Sequence, residues 1–434
     1  MATMEQLHRI FLSSNGICTD SRKTVPGTLF FALNGPNFNA NAFAEQALKE
    51  GCSYAVVDDP AVVRDERYIV VPDTLKALQE LARAHRRTFN IPVIGITGTN
   101  GKTTTKELVH AVLSADRPTL ATSGNLNNHI GVPLTLLQLK PEHRIAIIEM
   151  GASKLGDIAE LSAIAEPTHG LITNIGKAHL EGFGSVEGVV RTKTELYAWL
   201  REHHGTAFVN GDDALLMEKS QGLKRITYGS QESFDTCGHA VPSEDPGMEL
   251  VFDDTRFEHG HYHLSTRLIG NYNAPNALAA VCIGTHFGIP ADVIAGAITD
   301  YTPANSRSQL KDTGRNLVVL DAYNANPTSM AAALENFAAL QSPRKRLALL
   351  GDMLELGKVS QEEHRTIIAL CQRLGLEAWF VGAEFTQAAG PRPTHCFPTA
   401  AAAAQALQEM APKDLLVLVK GSRGVKLEEV VREL

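Results

Sequence analysis

The segment GITGTNGKTTT, residues 95–105, sets two glycines, a lysine and a threonine at the spacing Gly98-x-x-Gly101-Lys102-Thr103. An apolar run at 91–94 precedes it and an amphipathic stretch follows. Strand, glycine turn, lysine, hydroxyl and helix is the build of a phosphate-binding loop. Gly98 and Gly101 let the backbone turn so that successive N–H groups converge on one anion. The helix start adds the positive end of its dipole. Lys102 can reach terminal phosphates, and the Thr103 hydroxyl can ligate Mg²⁺. The spacing departs from the standard GxxxxGK[ST], because Ile96 stands where the first glycine belongs, and this points away from most GTPases and motor ATPases. A glycine-rich turn that binds nothing would not require the Lys-Thr pair.

Three more residues could join that chemistry. Glu149 ends the apolar run in RIAIIEMG, and a carboxylate at the carboxyl edge of a strand can hold Mg²⁺ directly or through water. Its competing reading is a solvated acid. His179, in TNIGKAHLEGFGS, follows the predicted strand 169–175 on the same sheet edge; a lone histidine is otherwise structural. Lys193, in VVRTKTELY, is an ordinary surface charge unless its amine is neutral. A neutral amine beside concentrated positive charge can capture CO₂ as a carbamate and so become an acidic ligand.

The elements that must position these residues follow from periodicity. Strands are predicted at 28–33 and 54–59, with a helix at 42–50 between them and another over 74–88; Asn90 to Pro92 marks a boundary. Strands at 93–97, 117–121, 145–150, 169–175 and 206–210 then alternate with helices at 103–113, 155–165 and 187–200. That alternation implies a mostly parallel sheet covered on both faces. Residues 225–268 carry short alternating runs that predict an antiparallel edge, followed by a helix over 274–287. A second α/β alternation begins near 307, with strands 316–321, 346–350, 378–382 and 415–419 and helices 328–340, 360–374, 399–410 and 426–433. The expected fold is α/β in three domains. A small N-terminal α/β domain spans 1–90, a central P-loop parallel-sheet ATPase domain 91–304, and a C-terminal Rossmann-like α/β domain 305–434.

A chain of 434 residues suits three such units. The net charge of −8 gives no broad attraction to nucleic acid or an anionic membrane, so a bound polyanion must sit in a local site. Six scattered cysteines without a CxxC pair suit a reducing cytoplasm, and neither a zinc site nor a disulfide framework is expected. No apolar run approaches the length of a membrane span. The expectation is a cytoplasmic monomer that inserts in no membrane.

Together these motifs resemble the Mur ligase family, in its D-alanyl-D-alanine-adding branch. The resemblance rests on DSRKTVPGTLFFALNGPNFNANAFAEQAL (20–48), GTNGKTTTKEL, GNLNNHIGVPLTLL (124–137), EMGASKLGDIAEL (149–161), TNIGKAHLEGFGS (173–185), TKTEL (192–196), GNYNAPNALAA (270–280), DAYNANPTSMAAAL (321–334), GDMLELG (351–357) with His364, and VKGSRG (419–424). It implies that Gly98, Thr99, Asn100, Gly101, Lys102, Thr103 and Thr104 cradle the phosphates of ATP. Asn273 and Asn276 would face the adenine, and Arg307 and Asp321 would close over the nucleotide. Thr103, Glu149, His179 and a carbamylated Lys193 would hold two Mg²⁺ ions, with Lys102, Lys193 and His179 the catalytic set. Asp20, Ser21 and Arg22 would hold the UDP-sugar, Asn125, Asn127 and Asn128 a substrate-facing loop, and Tyr323, Asn324 and Asn326 the dipeptide.

The implied reaction activates the carboxylate of UDP-MurNAc-tripeptide as an acyl phosphate, which the amine of D-Ala-D-Ala attacks. The chain departs from the family at Tyr272, where histidine is common, at Asn39-Ala40-Asn41, where Asp-Gly-His is common, and at Asp321-Ala322, where a doubled acid is common. The alternatives are another member of the superfamily, such as a folylpolyglutamate synthase or a different Mur ligase, and a nucleotide-binding scaffold without catalysis. No DNPR-type segment of the tripeptide-forming ligase is present, and Glu149, His179 and Lys193 together speak against a scaffold.

Overall fold

The computed structural model describes residues 3–35, 38–178, 180–243, 246–257, 260–303, 307–390 and 395–434. Among them the predicted alternations resolve into three sheets. Four parallel strands in chain order, Ile17–Cys18, Leu29–Phe31, Tyr54–Val57 and Tyr68–Val70, make the first.

The central sheet has nine strands. They run from Tyr262–Ile269 through Gly247–Asp254, Thr236–Val241, Lys224–Gly229, Thr206–Asn210, His169–Ile172, Val93–Thr97 and Ile145–Glu149 to Thr119–Ala121. The antiparallel edge is narrower than the sequence implies. Lys224–Gly229 is parallel to both neighbours, and only Thr236–Val241, Gly247–Asp254 and Tyr262–Ile269 pair antiparallel. The third sheet orders Gln309–Asp312, Leu317–Asp321, Leu415–Lys420, Lys345–Gly351, Glu377–Val381 and Cys396–Phe397, all parallel except the first.

Two helices differ from expectation for local reasons. The stretch 187–200 is broken into Val186–Lys193 and Glu195–Glu202. At the break the Thr194 hydroxyl donates back to the carbonyls of Val190 (2.9 Å) and Arg191 (3.1 Å), a bond that bends helices. The last segment, Leu427–Glu433, is 3₁₀ rather than α. Helices at Met4–Leu12, Gly131–Leu136, Ala291–Asp300 and Ala383–Ala389 were not foreseen.

The three units are joined unequally. One apolar core runs from Leu29, Phe31 and Val56 of the first sheet, through Leu78 and Leu81 of the helix Thr74–Arg87, to Val93, Ala146 and Ile148 of the central sheet. Arg83 and Arg87 of that helix also clasp Glu166. The third sheet instead has its own cores, which take only Ile269 from the central sheet. Its other bridges to the central unit include the polar pairs Asn326–Asn100 and Lys177–Glu363. An interface of that kind permits relative motion. Among the described residues no helix is long and apolar enough to cross a membrane, and all six cysteines are free thiols.

Candidate active site

The site grows from the carboxyl edge of the central sheet. Val93–Thr97 lies between the strand ending at Glu149 and the strand ending at Ile172, with Ile96 opposite Glu149 and Thr97 opposite Ile172. The glycine loop leaves the sheet in this crevice. Gly98 has φ +141°, and a Cβ there would lie 2.0 Å from Thr173 Oγ1; Gly101 has φ +79°, and its Cβ would lie 2.6 Å from Asn276 Oδ1. Both glycines are thus required by conformation and by close approach. Lys102 opens the helix Lys102–Ser114.

Neighbouring loops hold this loop in shape, a role the sequence did not disclose. The Thr173 hydroxyl and Asn174 Nδ2 both donate to the Asn100 carbonyl (2.6 and 3.0 Å), and Asn174 Oδ1 accepts from the Asn100 N–H (3.0 Å). The Gly176 N–H donates to Thr99 Oγ1 at 2.9 Å. The predicted strand 169–175 therefore stops at Ile172 because its last residues serve the loop. Asn276 Oδ1 accepts from Thr105 Oγ1 and its Nδ2 donates to Asn273, whose own amide donates to the Ile269 carbonyl. Both asparagines line the cleft while their amides lock the helix start in place.

The charged groups are arranged for an anion and a cation. Lys102 Nζ donates to the carbonyls of Gly98 (2.7 Å) and Thr99 (3.0 Å). Burial pushes its pKa down to about 8, Arg307 adds to the effect and Glu149 opposes it. Glu149 is 1% exposed. Its Oε1 accepts from Thr103 Oγ1 (3.1 Å) and Asn127 Nδ2 (2.8 Å), while its Oε2 is buried with no hydrogen-bond partner. An orphaned carboxylate oxygen beside a hydroxyl and a phosphate loop fits Mg²⁺, which takes one or two carboxylates and completes its shell with phosphate and water. His179 lies outside the described residues. Among the described residues no group of three or more His, Cys, Asp or Glu side chains gathers to hold a metal ion.

Lys193 is 2% exposed and does not line the cleft. Among the described residues its ammonium has neither hydrogen bond nor ion pair, and it lies 5.7 Å from the centroid of the Phe183 ring. Burial holds its pKa well below the usual lysine range, the charge of Lys102 adds to this, and Asp157 and Glu195 oppose it.

The third sheet closes the cleft. Asp321 and Lys420 end parallel strands in register, and their side chains form an ion pair, joined by a hydrogen bond from the Ser308 N–H to Asp321 Oδ1 (3.4 Å). Arg307 stacks on Tyr323, its guanidinium carbon 3.7 Å from the ring centroid, and Arg307 Nε is buried without a partner. Tyr272 hydrogen-bonds Ser308 at 3.1 Å, so the position where the family commonly has histidine ties the two units together. His364 is fully buried and accepts the Met353 N–H at Nε2, which pins the 352–357 loop.

One cavity of ≈ 680 Å³ is lined by Thr99 to Thr104, Asn127, Asn128, Glu149, Asn273, Asn276, Arg307, Asp321, Tyr323, Asn324 and Asn326. Asn125 lines a smaller crevice beside it. Asn128 also caps a turn, accepting from the N–H groups of Ile130 and Gly131. Asp20, Ser21 and Arg22 do not line the cleft. Asp20 caps its own turn and grips Arg22 bidentately, and these hydrogen bonds hold its carboxyl down to about 2. In the departing segment, Asn39 caps a turn and Asn41 is buried against Asp58, so both act within the protein.

The description "Mur ligase middle domain" matches residues 96–284, and "Mur ligase, glutamate ligase domain" matches 306–423. The UDP-N-acetylmuramoyl-tripeptide–D-alanyl-D-alanine ligase of Synechocystis sp. is 39% identical over 97% of this chain and 92% of its own length. The chain belongs to the Mur ligase family. Among solved structures, MurF from Acinetobacter baumannii superposes with a TM-score of 0.88 at 32% identity, covering 100% of this chain and 98% of that one. The MurF ligase of Thermotoga maritima in complex with ADP gives 0.85 at 27% identity over 97% and 98%. Both extend over all three sheets, so this Mur ligase has the family's three-part α/β architecture.

Proposed function

We propose that this chain is an ATP-dependent, ADP-forming amide ligase that joins D-alanyl-D-alanine to UDP-N-acetylmuramoyl-tripeptide in peptidoglycan precursor synthesis. The observation that carries this reading is the convergence of the phosphate loop, Glu149 and four residues from the last unit (Arg307, Asp321, Tyr323 and Asn326) on one cleft. The full-length relatives that bear this activity in their names support it. In this reading residues 1–90, around Asp20, Ser21 and Arg22, hold the UDP-sugar. Residues 91–304 hold ATP, and residues 305–434 bring the dipeptide to Tyr323, Asn324 and Asn326. Asn125, Asn127 and Asn128 form the substrate-facing loop, in which Asn127 also donates to Glu149 and Asn128 caps its own turn. The enzyme works as a monomer in the cytoplasm.

A peptide carboxylate is a poor electrophile, and the γ-phosphate repels it. Lys102 and the loop N–H groups screen that repulsion and stabilise the phosphoryl group in transfer. Mg²⁺ held by Glu149 and Thr103 would add positive charge across the phosphate oxygens. A carbamylated Lys193 would help hold a second ion; its amine is buried, and burial favours the neutral form that carbamylation needs. Attack of that amine on CO₂ forms an N–C bond, releases a proton and leaves a carboxylate that would act with His179. The tripeptide carboxylate attacks the γ-phosphorus and ADP leaves. The dipeptide amine then attacks the acyl carbon, and phosphate departs as the amide forms. The polar joint to the last unit lets it close over the intermediate and exclude water.

The test is ADP release with a panel of amines, using tripeptide labelled with ¹⁸O in its carboxylate. D-Ala-D-Ala is expected to be the preferred amine and ¹⁸O to enter the released phosphate. Better turnover with glutamate or a folate, or unlabelled phosphate, would refute the assignment.

A further inference from the structure

We propose that Arg423 receives the terminal carboxylate of the amine-bearing dipeptide. The inference rests on the ligase reading above and adds a residue to which that reading gives no part.

A second crevice of ≈ 330 Å³ adjoins the nucleotide cleft, with Thr103, Asn125, Arg307, Tyr323, Arg423 and Glu428 among its walls. Thr103, Arg307 and Tyr323 line both spaces, so the crevice leads to the point of phosphoryl transfer. Its size is at the lower end for small-ligand sites and suits a dipeptide, which spans roughly 7 Å when extended.

The Tyr323 ring carries two guanidiniums, Arg307 at 3.7 Å and Arg423 at 5.3 Å from its centroid. Their surroundings differ. Arg307 is partly buried, with its Nε enclosed beside the nucleotide cleft. Arg423 is exposed, and among the described residues it has no ion pair and no side-chain hydrogen bond. Glu428 lines the same crevice without pairing to it, and Asp321 is already neutralised by Lys420. The crevice thus sets two guanidiniums against one free carboxylate. A guanidinium oriented on an aromatic face is a ready receiver for a planar anion.

The turn beneath Arg423 is firm. The Ser422 N–H donates to the Asp352 carbonyl (3.1 Å), and the Ser422 hydroxyl accepts the Leu354 N–H (3.0 Å). With its carboxylate on Arg423, a dipeptide directs its amine toward Thr103 and the phosphate loop, as attack on an acyl phosphate requires.

The test compares D-Ala-D-Ala with D-alanyl-D-alaninamide, which keeps the amine and both methyl groups and loses the terminal charge. ADP release is measured with the full chain at saturating ATP and UDP-tripeptide. The wild type is expected to prefer the acid by about 10- to 100-fold in kcat/KM, the range for a charge-assisted hydrogen-bonded pair. Arg423→Ala is expected to lose that much on the acid and to use acid and amide within about twofold of each other. Its KM for ATP should be unchanged, and Arg423→Lys should restore part of the preference. The proposal is overturned if the acid preference survives in Arg423→Ala, or if its KM for ATP rises as far as its KM for the dipeptide. If neither form of the dipeptide releases ADP while another amine does, the ligase reading fails and takes the subsite with it. Normal dipeptide turnover with undiminished acid preference in Arg423→Ala rejects Arg423 alone.

Discussion

Asn326 carries two duties that one atom each performs, and they can be separated. Its Oδ1 accepts the Ser329 N–H at 2.9 Å and caps the helix Pro327–Ala339, while its Nδ2 donates to Asn100 Oδ1 in the phosphate loop at 2.7 Å. The cap fixes which way the amide faces, since an N–H can be met only by the oxygen. Asn326→Ala removes both functions. Loss of the cap costs about 1 kcal/mol, or about 2–4 °C in melting temperature. Asn326→Asp keeps the capping oxygen and adds a negative charge at a helix N-terminus, worth about 0.3–1 kcal/mol.

The aspartate, however, sets an acceptor against the Asn100 oxygen. Leaving such groups unsatisfied costs about 1–3 kcal/mol, equivalent to about 5- to 150-fold in kcat/KM if the closed arrangement is the reactive one. The expected pattern is therefore a destabilised, impaired alanine variant and a stable, impaired aspartate variant. Thermal melts and ADP-release kinetics on the two proteins decide it. An aspartate variant with wild-type turnover would show that the bridge between loop and helix is idle. An alanine variant that melts like the wild type would remove the cap from the account.

Other consequences follow from the charges. Lys102, with a pKa of about 8, carries its full charge below pH 7 and loses it as pH rises. The kcat/KM for ATP should fall on the alkaline side near pH 8, and Lys102→Arg, always charged, should abolish that limb; a limb that persists belongs to another group. Lys102→Ala should be inactive yet folded, and near-normal turnover would end the phosphoryl-transfer half of the mechanism. Glu149→Gln keeps an oxygen for Thr103 and Asn127 but no charge, so half-maximal activity should need about tenfold more Mg²⁺; an unchanged Mg²⁺ titration would place the ion elsewhere. Lys193→Ala should be nearly inactive and partly rescued by short-chain carboxylic acids, whereas full wild-type activity in CO₂-depleted buffer would argue against a carbamate.

The parts legible in the sequence were those set by local order. The strand, glycine turn, lysine and helix at 93–114 declare themselves in consecutive residues, and Glu149 does so by ending an apolar run. The first helix was also legible in principle, because Thr3 and Gln6 form a reciprocal cap. What stayed hidden depends on distant partners. Asn127 looks like a loop asparagine until the fold brings it to Glu149, and Thr173 and Asn174 look like a strand end until they meet Asn100, 73 and 74 residues away. The break at Thr194 escaped because its neighbours favour helix and the threonine back-bond seen there also occurs inside unbroken helices, as at Thr285. Asn39 and Asn41 stood where the family suggests substrate contacts, yet short amide side chains are as apt to bond within the protein: Asn39 caps its own turn and Asn41 bonds Asp58, 17 residues away.

The phosphate loop's supports also set a timetable. Its residues are made early, but Asn276 lies 171 residues beyond Thr105 and Asn326 lies 226 beyond Asn100. At roughly 5–20 residues per second, a ribosome needs on the order of 10–45 s to pass from Asn100 to Asn326. Throughout that interval the growing chain holds a glycine loop that lacks its last brace and the residues that would seal it. A nascent or truncated chain ending before the third sheet therefore lacks the Asn326 brace and cannot assemble the closed nucleotide site.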